Sequence, residues 1–129
     1  ITSINTDPIV DILDKGYIPV VSTVGCDDEG NVYNINADTA AARIAASLGA
    51  ESLITMTDIS GILRDCADES SLIRTVSVSE IPALYKDGVI TGGMIPKVEN
   101  ALKAVANGVR SVTIKHSENL LNDTGTVIR

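Results

Sequence analysis

Phenylalanine and tryptophan are absent from this sequence, and tyrosine occurs three times in 129 residues. A protein that stacks bases needs aromatic platforms, and one that follows a phosphate backbone needs clustered cations. With ten Lys and Arg against seventeen Asp and Glu, a net charge of −7, the chain offers neither, which argues against nucleic acid as a partner. No apolar stretch approaches the roughly 20 residues of a membrane span, and no charged-then-apolar leader opens the chain. The expectation is a soluble, cytoplasmic protein without a membrane partner. Cys26 and Cys66 have no CxxC spacing and no nearby histidine, so they read as reduced thiols rather than as a metal site or a disulfide. The single histidine, His116, reads as a solvated strand end. The chain begins with Ile1 rather than Met, and the expectation is that it was cut from something longer.

What is present points to one α/β domain with a real core: 44% of residues are hydrophobic and 21% charged, a balance that disordered chains do not have. PIVDILDKG reads as a short helix ending near Gly16. IPVVSTVG, residues 18 to 25, is a continuous β-branched run of the kind buried on both faces of a parallel sheet. A helix is predicted from about Ala37 to Leu48, then a strand at SLITMT, which together make a βαβ unit with a right-handed crossover. LIRTVSV is read as a short strand, and Ser79 as the cap of a helix running through Pro82 to the stop at Gly88. A further helix is predicted from Ile95 to Ala106, RSVTIK as a third strand and GTVIR as a short closing strand. The segments near 18 to 24, 51 to 57 and 110 to 115 are expected to be parallel neighbours in one sheet.

Three motifs carry the candidate chemistry. In YNINADTAA, Asn34, Asn36 and Asp38 alternate ahead of an alanine-rich helix. Residues that alternate along an extended segment point to one side, so these three are expected to converge, although Asn36 or Asp38 also suits an N-cap. In TDISGIL, Asp58 leaves a buried strand at its carboxyl end, the edge where open α/β sheets bind ligands; capping of a local turn is the plainer reading of the same residue. TGGMIPK places Gly92 and Gly93 before a helix N-terminus and Lys97 inside its first turns, which suits an anion such as a nucleotide phosphate. An ordinary glycine turn before a surface lysine is the commoner use of such a sequence. On a shared edge, Asp38, Asp58 and Lys97 favour phosphoryl transfer, in which the protein supplies position and charge.

YNINADTAA, TDISGIL and ITGGMIPKVENAL together resemble the C-terminal, nucleotide-binding half of the acetylglutamate kinases, within the amino acid kinase family. The resemblance implies a three-layer αβα sandwich with a mainly parallel sheet, and ATP-dependent phosphorylation of the side-chain carboxylate of N-acetyl-L-glutamate in arginine biosynthesis. It implies Lys97 against the transferring phosphoryl group, Asp38 orienting the catalytic lysines, and Asn34 and Asn36 on acetylglutamate. It implies ATP along Asp58, Ile59, Ser60, Gly61, Ile62 and Leu63 and along Val89, Ile90, Thr91, Gly92, Gly93 and Met94. Magnesium is expected to ride on the nucleotide, with no dedicated protein ligand. The family's second lysine, two glycine-rich turns and substrate arginine belong to an N-terminal lobe that this chain lacks, so the chain alone is expected to be inactive and its parent homo-oligomeric. A non-catalytic nucleotide-binding module and another amino acid kinase are the competing readings.

Overall fold

A computed structural model describes residues 1–129. In chain order the elements are α1 (Asp7–Asp14), β1 (Val24–Cys26), β2 (Val32–Asn34), α2 (Ala37–Ser47), β3 (Ser52–Thr57), β4 (Thr75–Val76), α3 (Ile81–Lys86), α4 (Met94–Ala106), β5 (Ser111–His116) and β6 (Thr126–Ile128), with short 3-10 turns between some of them. No helix is long and apolar enough to cross a membrane.

Four strands form the main sheet in the order β3-β5-β6-β4. β3 and β5 run parallel in register from Ser52 opposite Ser111 to Thr57 opposite His116, and β4 and β6 are also parallel. β6 enters antiparallel to β5. Helices α2 and α4 cover the same face of this sheet through Ala42, Ala45, Val98, Ala101 and Ala104, which join Val112, Ile114 and Ile128 in one buried cluster. Alanine at the facing positions lets the two helices approach closely. Thr39, in the first turn of α2, meets Asn100 in the middle of α4, while Arg43 and Ala46 share a small crevice with Lys103 and Asn107 further along. The helices therefore run parallel. Because α2 leads through the left-handed Gly49 into β3, and α4 through the left-handed Gly108 into β5, both helix N-termini lie at the carboxyl edge of those two strands.

The long connection after β3 is fastened at Thr126, which is fully buried in β6. Its hydroxyl accepts from the Ile62 amide at 2.8 Å and donates to the Ile73 carbonyl at 2.7 Å. Gly61 lies over the same hydroxyl with φ +149, and a Cβ there would come within 2.6 Å of it, so only glycine fits the approach. The turn before α3 is capped by Ser77 rather than by Ser79. The Ser77 amide donates to the Glu80 carboxylate at 2.7 Å, and that bond, followed by the Ser77 hydroxyl donating to the same oxygen, holds the Glu80 carboxyl below the usual carboxylate range.

The segment near 18 to 24 corrects the sequence expectation. β3 and β5 are parallel neighbours, but residues 18 to 22 pair with no strand, and only Val24–Cys26 is regular. That strand turns back on β2 in an antiparallel hairpin. The reason is local. Asp27 organises the turn by accepting from the Glu29 and Asn31 amides, the Asn31 side chain and the Tyr33 hydroxyl at 2.8–3.0 Å. Nothing in the described chain lies along both faces of the apolar run, and Ile18 and Val20 stay 89% and 95% exposed. Apolar composition alone does not make a central strand when the partner strands are missing.

Two outcomes follow. Thr126→Val keeps the side-chain shape but leaves the Ile62 amide without its acceptor in the core, and chemical denaturation is expected to show a loss of about 1–3 kcal/mol; an unchanged midpoint would remove Thr126 as the fastening. The hairpin is also expected to be acid-resistant. Hydrogen bonds from the Asn31 side chain, the Tyr33 hydroxyl and the amides hold Asp27 down at about 2 against an ordinary 3.8. For a depressed carboxyl, the stabilisation is full above the ordinary value and is lost as pH falls through the folded one. A titration of the Asn31 and Tyr33 resonances by NMR is expected to move them only as pH falls towards about 2.

Candidate functional site

The site is built where the two parallel helices begin. Asn36, in an extended conformation, ends the lead-in from β2, and its side-chain oxygen accepts from the Thr39 amide at 3.1 Å. This is an N-cap, the plainer of the two roles the sequence allows. Asp38 follows within the first turn of α2, where a carboxylate is favoured by the helix dipole. Across the seam, Lys97 is the fourth residue of α4, and its ammonium donates to Asp38 Oδ2 at 3.2 Å. Both side chains are 22% exposed.

A lysine near a helix N-terminus works against the dipole rather than with it. The carboxylate of Asp38 offsets that penalty, and the physical result of the half-buried pair is to hold one cation in a fixed place at the ligand edge of the sheet.

Immediately before α4, Gly92 adopts the left-handed conformation with φ +51, and a Cβ at Gly92 or Gly93 would meet nothing within 4 Å. The Met94 and Ile95 amides donate back to the carbonyls of Thr91 and Gly92 at 3.1 and 3.2 Å. The Gly92 and Gly93 amides donate to no backbone carbonyl. Two exposed amides at the start of a 13-residue helix, with an ammonium one turn away, form a cradle suited to a phosphate.

The remaining sequence-predicted residues divide by burial. Asp58 is exposed at the end of β3 and accepts from the Thr57 hydroxyl at 3.0 Å. Ile59 and Thr91 are exposed, and Ser60 and Val89 half-buried, so these keep surface to offer. Gly61 is enclosed, and Ile62, Leu63, Ile90 and Met94 have their side chains in the core. Asn34 is exposed on β2, in the wall of a cleft of about 1050 Å³ between the first residues of the chain and the start of α2. The alternation argument for Asn34, Asn36 and Asp38 does not hold as stated. The helix starts at Ala37, so Asp38 lies on helix rather than on extended chain, and helix packing is what brings it to Lys97.

No three His, Cys, Asp or Glu side chains are grouped so as to hold a metal ion. Asp38 is already engaged with Lys97, so the donor set here suits an anion and not a bare cation. Sequence reasoning missed Thr39 and Asn100, which join the two helices beside the ion pair. They are 61 residues apart, and neither residue type marks a site by itself.

Comparison with known proteins places these features in context. Residues 1–116 match the amino acid kinase family. An acetylglutamate kinase from Brachyspira hyodysenteriae is 59% identical over 111 residues, which cover 86% of this chain and 38% of that protein. The Methanopyrus kandleri acetylglutamate kinase is 42% identical over 126 residues, covering 98% of this chain and 51% of that one. In the crystal structure of smu.665 from Streptococcus mutans UA159, the matching chain is 38% identical with a TM-score of 0.84, over 98% of this chain and 49% of that one. The chain thus spans about half or less of the length of these proteins. The fold of this chain is the three-layer αβα sandwich, with a mostly parallel sheet.

Asn36→Ala is expected to cost about 1 kcal/mol in chemical denaturation through loss of the cap, with Asn36→Ser retaining most of the stability. If Asn36→Ala were neutral, the capping role assigned to Asn36 would be wrong.

Proposed function

The chain belongs to the amino acid kinase family, and from that membership we propose that it forms the ATP-side lobe of an acetylglutamate kinase, in which a second lobe supplies the rest of the substrate site. The observation that carries the reading is the Lys97 ammonium held 3.2 Å from Asp38 at the paired helix N-termini, one turn beyond the free Gly92 and Gly93 amides. The names of the acetylglutamate kinases to which the chain is similar support the choice of substrate within the family.

In this reading the nucleotide lies across the carboxyl edge of β3 and β5. Its phosphates rest on the Gly92 and Gly93 amides, and the adenosine end runs along Asp58, Ile59 and Thr91. A side-chain carboxylate oxygen of N-acetyl-L-glutamate attacks the γ-phosphorus; the new C(O)O–P bond forms as the bond from phosphorus to the β-γ bridging oxygen breaks, and ADP leaves. The attacking carboxylate is already ionised, so no general base is needed. Lys97 neutralises charge on the transferring oxygens, where a positioned cation acts most strongly in the transition state. Asp38 keeps the ammonium from collapsing onto the phosphates in the ground state. Magnesium, carried by the nucleotide, would supply additional charge neutralisation, with no residue of this chain assigned to hold it. Asn34, free on β2, contacts the substrate.

The exposed run around Ile18 and Val20, and the cleft beside it, support a lobe that packs there. A surface of that length and apolarity is rarely left to solvent.

Two outcomes test the reading. The chain alone is expected to bind ATP–magnesium weakly in calorimetry and to phosphorylate no acetylglutamate. Joined to the substrate lobe of the Brachyspira relative, it is expected to turn over. There Lys97→Ala should lower kcat by about 10²–10³ with little change in KM, as loss of a transition-state contact does. Asn34→Ala should raise the KM for acetylglutamate instead. A Lys97→Ala enzyme within a few-fold of the unmodified one would return GGMIPK to an ordinary turn before a surface helix, and binding without turnover in the joined protein would favour a non-catalytic nucleotide module.

A further inference from the structure

Asn100 is an amide in the middle of α4 that is only 7% exposed, and a buried amide is costly unless its hydrogen bonds are made. Its Nδ2 donates to the Pro96 carbonyl at 2.9 Å, part of the peptide unit that leads into Lys97. Its Oδ1 accepts from the Thr39 hydroxyl at 3.2 Å. That hydroxyl belongs to the residue after Asp38, and it also lies 3.3 Å from Oδ1 of Asn36, the cap of α2. One side-chain seam therefore runs from the cap of one helix to the first turn of the other, beside the ion pair.

A threonine hydroxyl carries a single proton. It can donate to Asn36 or to Asn100, but not to both at once. Asn36 keeps the Thr39 amide as a donor at 3.1 Å whichever way the hydroxyl turns, so the helix cap survives the switch. Asn100 has no second donor on its Oδ1, and it gains or loses its bond to α2 as the proton moves.

Resting on the reading of Lys97 as the phosphoryl-facing cation, we propose that Thr39 and Asn100 are positioning residues, a polar seam that aims Lys97 by fixing the first turn of α4 against α2. The shared proton makes the seam responsive. When a substrate N–H donates to Asn36 Oδ1, the Thr39 hydroxyl turns to Asn100, and α4 is drawn onto α2 as the reacting groups assemble. A displacement of a catalytic cation by about 1 Å is enough to cost on the order of 10²-fold in rate, so a seam of this kind has leverage without touching substrate.

The test uses the isotopically labelled chain and reads the order parameter of the Lys97 ε-methylene by NMR relaxation, with Asp38→Ala as the reference for a released side chain. Thr39→Val is isosteric and removes only the hydroxyl; Thr39→Ser restores it. The order parameter is expected to fall in Thr39→Val towards the Asp38→Ala value, to return in Thr39→Ser, and to fall likewise in Asn100→Leu, each measured in protein whose circular dichroism is that of the unmodified chain. A merely structural role would lower the melting temperature and leave Lys97 ordered in the molecules that remain folded. Wild-type order at Lys97 in folded Thr39→Val would overturn the seam, whether or not Asn100→Leu folds. A Lys97 resonance that ATP–magnesium leaves unmoved in the unmodified chain would count against the nucleotide reading instead, so the two failures are separable.

Discussion

The parallel seating of α2 on α4 is the constraint on which the rest of this structure depends. Ala42 and Ala45 on one helix and Ala101 and Ala104 on the other are buried with Val98 in the common cluster, and only residues this small let two helices lie close over adjacent strands. Because both helices feed parallel strands through glycine turns, close packing also aligns their N-termini. Two positive dipole ends then face one spot, which is unfavourable for Lys97 and favourable for Asp38. The ion pair offsets a conflict that the packing creates. A bulky residue at Ala42 or Ala104 would part the helices and carry Lys97 away from Asp38, although it touches neither.

Local consistency between sequence and fold fails at this spot, as it does at the exposed apolar run around Ile18 and Val20. A lysine in the first turns of a helix, preceded by a left-handed glycine and by two amides without carbonyl partners, is a poor choice for stability. Such departures are expected where a surface is kept for binding. The same reasoning treats the Asp27 turn differently: four donors on one exposed carboxylate explain themselves as the stitching of a hairpin, and no cation or ligand is needed to account for them.

Much of the fold was legible in the sequence because period and punctuation agreed. The alanine stripe bounded by Gly49, the run from Ser52 to Thr57, the helix opened by TGGMIPK and closed by Gly108, and the strand after it are all where pattern and turn chemistry place them. The failures have a common cause. Residues 18 to 24 read as a buried strand because their composition is apolar, but composition cannot say whether partner strands are present. Ser79 and Ser77 are equivalent by residue type, and only the position of Glu80 decides between them. At the site, TGGMIPK places Lys97 in the first turns of α4 as read, but side-chain alternation is the wrong reason for Asp38, which helix packing brings to Lys97. Thr39 and Asn100 were invisible because their meaning lies wholly in a contact between two helices, 61 residues apart.

The central claim is that the edge formed by Gly92, Gly93 and Lys97 receives the phosphates of ATP. A crystal structure of the chain with a non-hydrolysable ATP analogue and magnesium tests it most directly. The account predicts phosphate oxygens within hydrogen-bond distance of the Gly92 and Gly93 amides, with the Lys97 ammonium reaching towards the γ-phosphate while it keeps Asp38 as a neighbour. A nucleotide seated elsewhere, with the two glycine amides on water and Lys97 engaged only by Asp38, would contradict it.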